Sequence, residues 1–198
     1  MLFLKKNYGW LIVTVLATLP LIPLTKMAME GSADSTDMLY HISGEFAIRW
    51  MTAVLTLTPV FILFSVTNLF VRQAMGIATA VWSLLHFVIF IIAEGLAETF
   101  TQVNYILGFV AVLILIPLLL TSNRKAMKRL KANWKKLQRF SYLAILLSLT
   151  HVAILEKTWA LYAVIVGLGF IIRIPAVKMR IINYRQQKIS NENSRNIR

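Results

Sequence analysis

Two of the three histidines in this 198-residue chain, His86 and His151, sit in runs that are otherwise almost wholly apolar, "AVWSLLHFVIFIIAE" and "YLAILLSLTHVAIL". An imidazole in such a setting either makes a hydrogen bond or gives a neutral lone pair to a metal. His86 lies 14 residues after Arg72 and 8 before Glu94, which on a helix is about 21 Å from one end and about 12 Å from the other. His151 lies 12 residues after Arg139 and 5 before Glu156, or about 18 Å and about 7.5 Å. The two helices run in opposite directions, yet both rings fall in the same half of a membrane, within about 5 Å of one depth. Two neutral imidazoles facing each other from separate helices are the axial ligand set of a b-type haem, six-coordinate and suited to electron transfer. Structural hydrogen bonding is the other reading that the residues allow. Trp82 and Phe90, one turn to either side of His86, could pack a porphyrin, although aromatic stripes more often serve a core.

The elements that position these residues are membrane helices. The chain is 58% hydrophobic with a mean hydropathy of +0.70, against roughly 45–50% apolar residues in ordinary soluble domains. Six segments approach the roughly 20 apolar residues that a crossing requires: 8–25, 46–67, 74–93, 103–121, 139–155 and 158–177. The expectation is an all-α integral membrane protein, a six-transmembrane-helix bundle over residues 1–178, with a polar, disordered cytoplasmic tail over 179–198. Lys5 and Lys6 before the first apolar run suggest a signal peptide, but no small-residue cleavage site follows "LPLIPLTKMAME", and Pro20 and Pro23 lie inside the run. The segment is therefore read as a mature helix.

Charge sorts by sign between the segments. The N-terminus, the 68–73 and 122–138 loops and the tail hold nearly all the Lys and Arg. Seven of the eight acidic residues, Glu30, Asp34, Asp37, Glu45, Glu94, Glu98 and Glu156, lie on the other side, and only Glu192 does not. The positive-inside rule then makes both termini cytoplasmic. The formal charge of +13 does not indicate nucleic acid, because inserted helices offer no free basic face. There is no cysteine, which excludes disulfides, iron–sulfur clusters and thiol chemistry. In "NRKAMKRLKANWKKLQR", Met127, Leu130, Trp134 and Leu137 recur at helical spacing among cations, as in an amphipathic helix on an anionic lipid surface; a docking surface for a cytosolic electron donor is the functional alternative.

His41, in "LYHISGEFAIRW", is placed at the outer end of the second segment, where it could cap the helix, touch a haem propionate or help to bind a quinone. Arg49 can pair with Glu45, snorkel outwards or meet a propionate.

The stretches "HISGEFAIRWMTAVLTLTPV", "RQAMGIATAVWSLLHF" and "NRKAMKRLKANWKKLQRFSYLAILLSLTH" resemble the ferric-reductase-like transmembrane domain. Within it they resemble the haem-binding membrane subunits of bacterial periplasmic methionine sulfoxide reductases. The elements that carry the resemblance are H-x-S/T-G at His41 to Gly44, R-x-x-x-G at Arg72 to Gly76, and the W-x-x-L segment leading to His151. The resemblance implies a multi-pass protein of the bacterial inner membrane. Its electrons would come from the quinone pool or a cytosolic flavin reductase and pass to a periplasmic, molybdenum-containing reductase subunit. His86 and His151 match the family's outer haem ligands, and His41 matches a further outer histidine.

The chain departs from the pattern at one position. Where the family has a histidine 13 residues before that of the fifth span, this sequence has Gln138, which has no imidazole. Met75 could in principle ligate iron in the inner half, but a thioether there is far more ordinary as packing. One haem, in the outer half, is expected rather than two. An outer-half carrier lies across most of a core about 30 Å thick from any cytosolic donor, which favours a quinol arriving laterally. FMN enters by resemblance only, because no nucleotide-binding glycine fingerprint follows a strand. The rivals are a stand-alone ferric or cupric reductase and a haem-free scaffold or transporter; a transporter would more often show inverted repeats or broken helices with paired midplane charges, and the sequence shows neither.

Overall fold

The structure is a computed structural model that describes residues 2–65, 68–155 and 158–196, with side chains for 8–32, 34–65, 68–155 and 158–192. Glu156, part of the acidic-side tally, lies outside the described residues, as do the last two residues of the 46–67 segment. No strand occurs among the described residues. The helices are α1 (Leu2–Thr18), α2 (Leu21–Glu30), α3 (Ala33–Phe64), α4 (Leu69–Glu94), α5 (Val103–Leu120), α6 (Arg124–Leu130), α7 (Ala132–Gln138), α8 (Ser141–Ile154), α9 (Trp159–Arg173) and α10 (Pro175–Asn196). A short 3-10 turn, Leu96–Phe100, joins α4 to α5.

Five stretches are long and apolar enough to cross a membrane: Tyr8–Glu30, Asp34–Phe64, Leu69–Glu94, Val103–Leu120 and Ala132–Ile154. The pair α9 and α10 makes a sixth only as a broken span, bent by 74° between Arg173 and Pro175. The residue before a proline is pushed out of the helical region, and Ile174 adopts φ −56°, ψ 128°. The chain is thus an all-helical, multi-pass membrane protein. Its outer surface fits that solvent, since Leu113, Leu143, Leu146, Val164 and Leu168 are exposed. The interior is a column of Ile48, Met51, Leu55, Ala80, Leu115, Leu118, Ala144, Ile145 and Val166, drawn from α3, α4, α5, α8 and α9.

Several expectations change. The second segment is a helix from Ala33, well before residue 46, because Ser32 caps it by accepting from the Ser35 amide (3.1 Å). His41 is therefore inside α3 rather than capping it. The basic loop is two short helices instead of one amphipathic helix: Lys131 adopts φ 48°, ψ −120° and separates α6 from α7. Trp134 does not lie on a free surface either, since its indole N–H caps α5 at the Thr121 carbonyl (2.9 Å). The tail expected to be disordered is helical to Asn196.

Two arginines close the C-terminal end of α3. Pro59 has no N–H, so the Leu55 carbonyl loses its intrahelical partner, and the Arg173 guanidinium donates to that oxygen. Ile62 lies in the last turn of the helix, where carbonyls run out of intrahelical donors, and Arg185 Nη2 donates to its oxygen (2.8 Å). In a lipid medium an unsatisfied carbonyl is costly, so both contacts tie α9 and α10 to α3.

Candidate functional site

A cavity of about 260 Å³ opens between α3, α4, α5, α8 and α9, lined by both His86 and His151. Most of its wall is apolar or aromatic, including Ile48, Met51, Phe87, Phe90, Phe109 and Leu115. The two rings that sequence spacing put at one depth thus share one space, one from α4 and one from α8.

Each ring is held at Nδ1 by a neighbouring helix. His151 Nδ1 is 2.6 Å from the Asn104 carbonyl oxygen. A carbonyl can only accept, so Nδ1 carries the proton and Nε2 keeps its lone pair. His86 Nδ1 is 3.1 Å from Ser43 Oγ. That hydroxyl already gives its one proton to the Tyr40 carbonyl (3.0 Å), so it accepts from His86, and the ring is again protonated at Nδ1 with Nε2 bare. Such an outer partner is the usual way of fixing the tautomer of a metal-binding imidazole.

Each ring also rests against a glycine. A Cβ at Gly44 of α3 would stand 3.0 Å from His86 Cε1, and a Cβ at Gly108 of α5 would stand 3.3 Å from His151 Nδ1. A methyl at either position would press on the imidazole. The Tyr40 ring lies 4.8 Å from that of His86.

The other expected residues divide. His41 lines the cavity, near Tyr40 (ring centroids 6.0 Å apart). Arg49 is at the rim: it pairs with Glu45, its Nε lies 3.4 Å from the Tyr162 hydroxyl, and its side chain is half exposed. Glu45 and Tyr162 themselves line the cavity. Trp82 is not among the lining residues. It is buried against Phe46 (4.8 Å) and donates its indole N–H to the Ala17 carbonyl (3.1 Å). At 3.6 residues per turn Trp82 and Phe90 lie about 40° to opposite sides of His86, and the cavity is on the Phe90 side. Gln138 is directed to the end of α5, with Nε2 3.3 Å from Thr121 Oγ1 and 3.4 Å from the Leu118 carbonyl.

Sequence reasoning missed the residues that set the rings. Ser43 and Gly44 lie within the quoted "HISG", but nothing in that string says that they meet His86, 43 positions later in the case of Ser43. Asn104 acts through its backbone, which no residue type announces. Ser83, a turn before His86, also lines the cavity, and its buried hydroxyl has no partner.

Two protein ligands are fewer than the three or four that zinc sites in proteins usually supply, and among the described residues no group of three or more His, Cys, Asp or Glu comes together. A macrocycle brings four nitrogen ligands of its own and needs only two axial ones. The bare Nε2 atoms, the apolar wall and the two glycine cradles fit such a group.

Residues 39–149 match the family described as "ferric reductase like transmembrane component". Among curated proteins, the chain is similar to the protein-methionine-sulfoxide reductase heme-binding subunit MsrQ of Agrobacterium fabrum, at 28% identity covering 75% of each chain. It is also similar to the protein of the same name in Brucella ovis, at 29% identity over 68% of this chain and 66% of the relative. No solved structure matches.

Proposed function

The chain belongs to the ferric reductase like transmembrane component family, and from that premise we propose that it is a membrane electron-transfer subunit holding one b-type haem between His86 and His151. The observation that carries this reading is the pair of imidazoles on one apolar cavity, each engaged at Nδ1 and bare at Nε2. When bound, the haem supplies a one-electron iron couple whose potential follows its axial ligands, their hydrogen bonds and the polarity of the pocket.

The chain's own residues set those terms. Ser43 and the Asn104 carbonyl hold each ring in the ligating tautomer and raise its basicity. Gly44 and Gly108 let α3 and α5 approach the rings closely. The aromatic wall keeps water away, and His41, Arg49 and Tyr162 can donate to the carboxylates that a haem carries.

The relatives' names point to methionine sulfoxide as the final acceptor, reduced by a partner outside the membrane, of the molybdenum-containing class by resemblance. Reduction of the sulfoxide to thioether and water takes two electrons and two protons, and oxidation of one quinol releases both. Quinol is favoured as donor because Gln138 leaves the basic end without a second imidazole. We place the basic end in the cytoplasm of a bacterium, with the protein in its inner membrane and His86 and His151 in the outer half.

Purified protein, oxidised in air and then treated with a short-chain quinol, should develop the reduced bands of a six-coordinate b-type haem. A preparation made with ample haem supply that shows no haem band would overturn the reading. Reduction by a flavin reductase with NADH but not by quinol would overturn the choice of donor.

A further inference from the structure

A second cavity, of about 480 Å³, lies at the opposite, basic end, between the C-terminal end of α3, the start of α4 and α10. Its polar lining includes Arg72, Lys178 and Arg185, and no acidic residue is among the described residues that line it. Two buried polar atoms on its wall lack a partner: Arg185 Nη1 and Thr58 Oγ1. The Thr58 hydroxyl does not make the bond to a carbonyl one turn back that Thr56 makes to Thr52 (2.9 Å). Arg185 is anchored through Nη2 on Ile62, which leaves the rest of its guanidinium to the cavity. Arg72 and Lys178 are exposed at the rim. The remaining wall is apolar, with Phe61, Ile62, Leu69, Ile182 and Ile189.

A buried guanidinium N–H without an acceptor calls for one, and three cations with no acid among the described lining residues call for an anion. Both needs fall where helices that cross the membrane end in basic residues, at the depth of lipid headgroups. The apolar wall beside the cations suits an amphiphile better than a free ion. We propose that this cavity binds the phosphate headgroup of an anionic phospholipid, whose acyl chains continue along α3 and α10. Arg185 and Thr58 would donate to the phosphate from within, and Arg72 and Lys178 from the rim. A bound lipid would also join the α9–α10 bend to α3 and α4.

The full chain is purified in mild detergent, stripped of lipid, and offered phosphatidylglycerol, phosphatidylcholine or inorganic phosphate. Retained lipid is read by native mass spectrometry. Phosphatidylglycerol should be retained about tenfold better than phosphatidylcholine, and the R72Q/K178Q double variant should lose most of that preference. This variant leaves the Arg185 contact to Ile62 intact, and an unchanged elution profile checks its fold. Thr58→Val, which keeps the shape and removes the hydroxyl, should lower retention independently. Equal retention of the two lipids, or a preference unmoved in both variants, would overturn the proposal. Displacement of phosphatidylglycerol by millimolar inorganic phosphate would assign the cavity to a soluble phosphate compound and overturn the lipid.

Discussion

The Nδ1–H of His151 donates to the main-chain carbonyl of Asn104 across 2.6 Å, so the ring on α8 is held by the first turn of α5. His86 is held in the same way by α3, through a hydroxyl instead of a carbonyl. The two rings are therefore alike in tautomer and unlike in the strength and adjustability of what holds them.

Ser43→Ala removes the acceptor from His86 Nδ1 without touching Nε2. Leaving a buried donor unpaired costs about 1–3 kcal/mol. The expected outcome is retained haem with a shifted midpoint potential and lower thermal stability, read by redox titration and a melting curve. An unchanged potential would show that the hydrogen bond does not tune the site.

Glycine-to-alanine changes should differ in sign along the chain. In an open helical position alanine gains about 0.5–1 kcal/mol, and a Cβ at Gly76 meets nothing within 4 Å. At Gly44 the same methyl stands 3.0 Å from the His86 ring. Gly76→Ala should melt no lower than the parent and keep its haem, whereas Gly44→Ala should lose haem or shift its reduced bands.

Arg173→Leu leaves the Leu55 carbonyl, already orphaned by Pro59, without a donor. It also removes a cation held over the Tyr142 ring, 5.3 Å from its centroid. The protein should melt at a lower temperature in detergent, by a loss of about 1–3 kcal/mol. Haem spectra of the surviving fraction should not change, because Arg173 does not line the histidine cavity.

The helices with the cleanest apolar runs were the most legible. The fourth span, expected at 103–121, is Val103–Leu120, and the third, expected at 74–93, lies within Leu69–Glu94. The start of α3 was hidden because "SADSTDMLYHISGE" carries three acids and a histidine, so hydropathy falls while the helix continues. The short sixth segment breaks before Pro175, and most of α10 reads as a disordered tail because it is polar. At the site, depth counting brought His86 and His151 to the same place because rise along a helix depends only on residue number. What the rings touch depends on how helices pack. Trp82 therefore turned out to face α1 and Phe46, and Ser43 and Asn104 became visible only in three dimensions.

Gln138 bears on stoichiometry. Its amide is engaged by Thr121 and Leu118 at the end of α5, so Gln138→Ala should lower stability modestly and leave haem content unaltered. Loss of haem in that variant would mean that the basic end takes part in binding after all.

The central claim is tested most directly by the haem-to-protein ratio of the purified chain, measured by pyridine haemochrome for the parent, His86→Ala and His151→Ala. The account predicts a ratio near one for the parent with a low-spin, bis-imidazole spectrum, and loss of that signature in each variant that still elutes as folded protein. A ratio near two, or an unaltered low-spin spectrum in either variant, would contradict it.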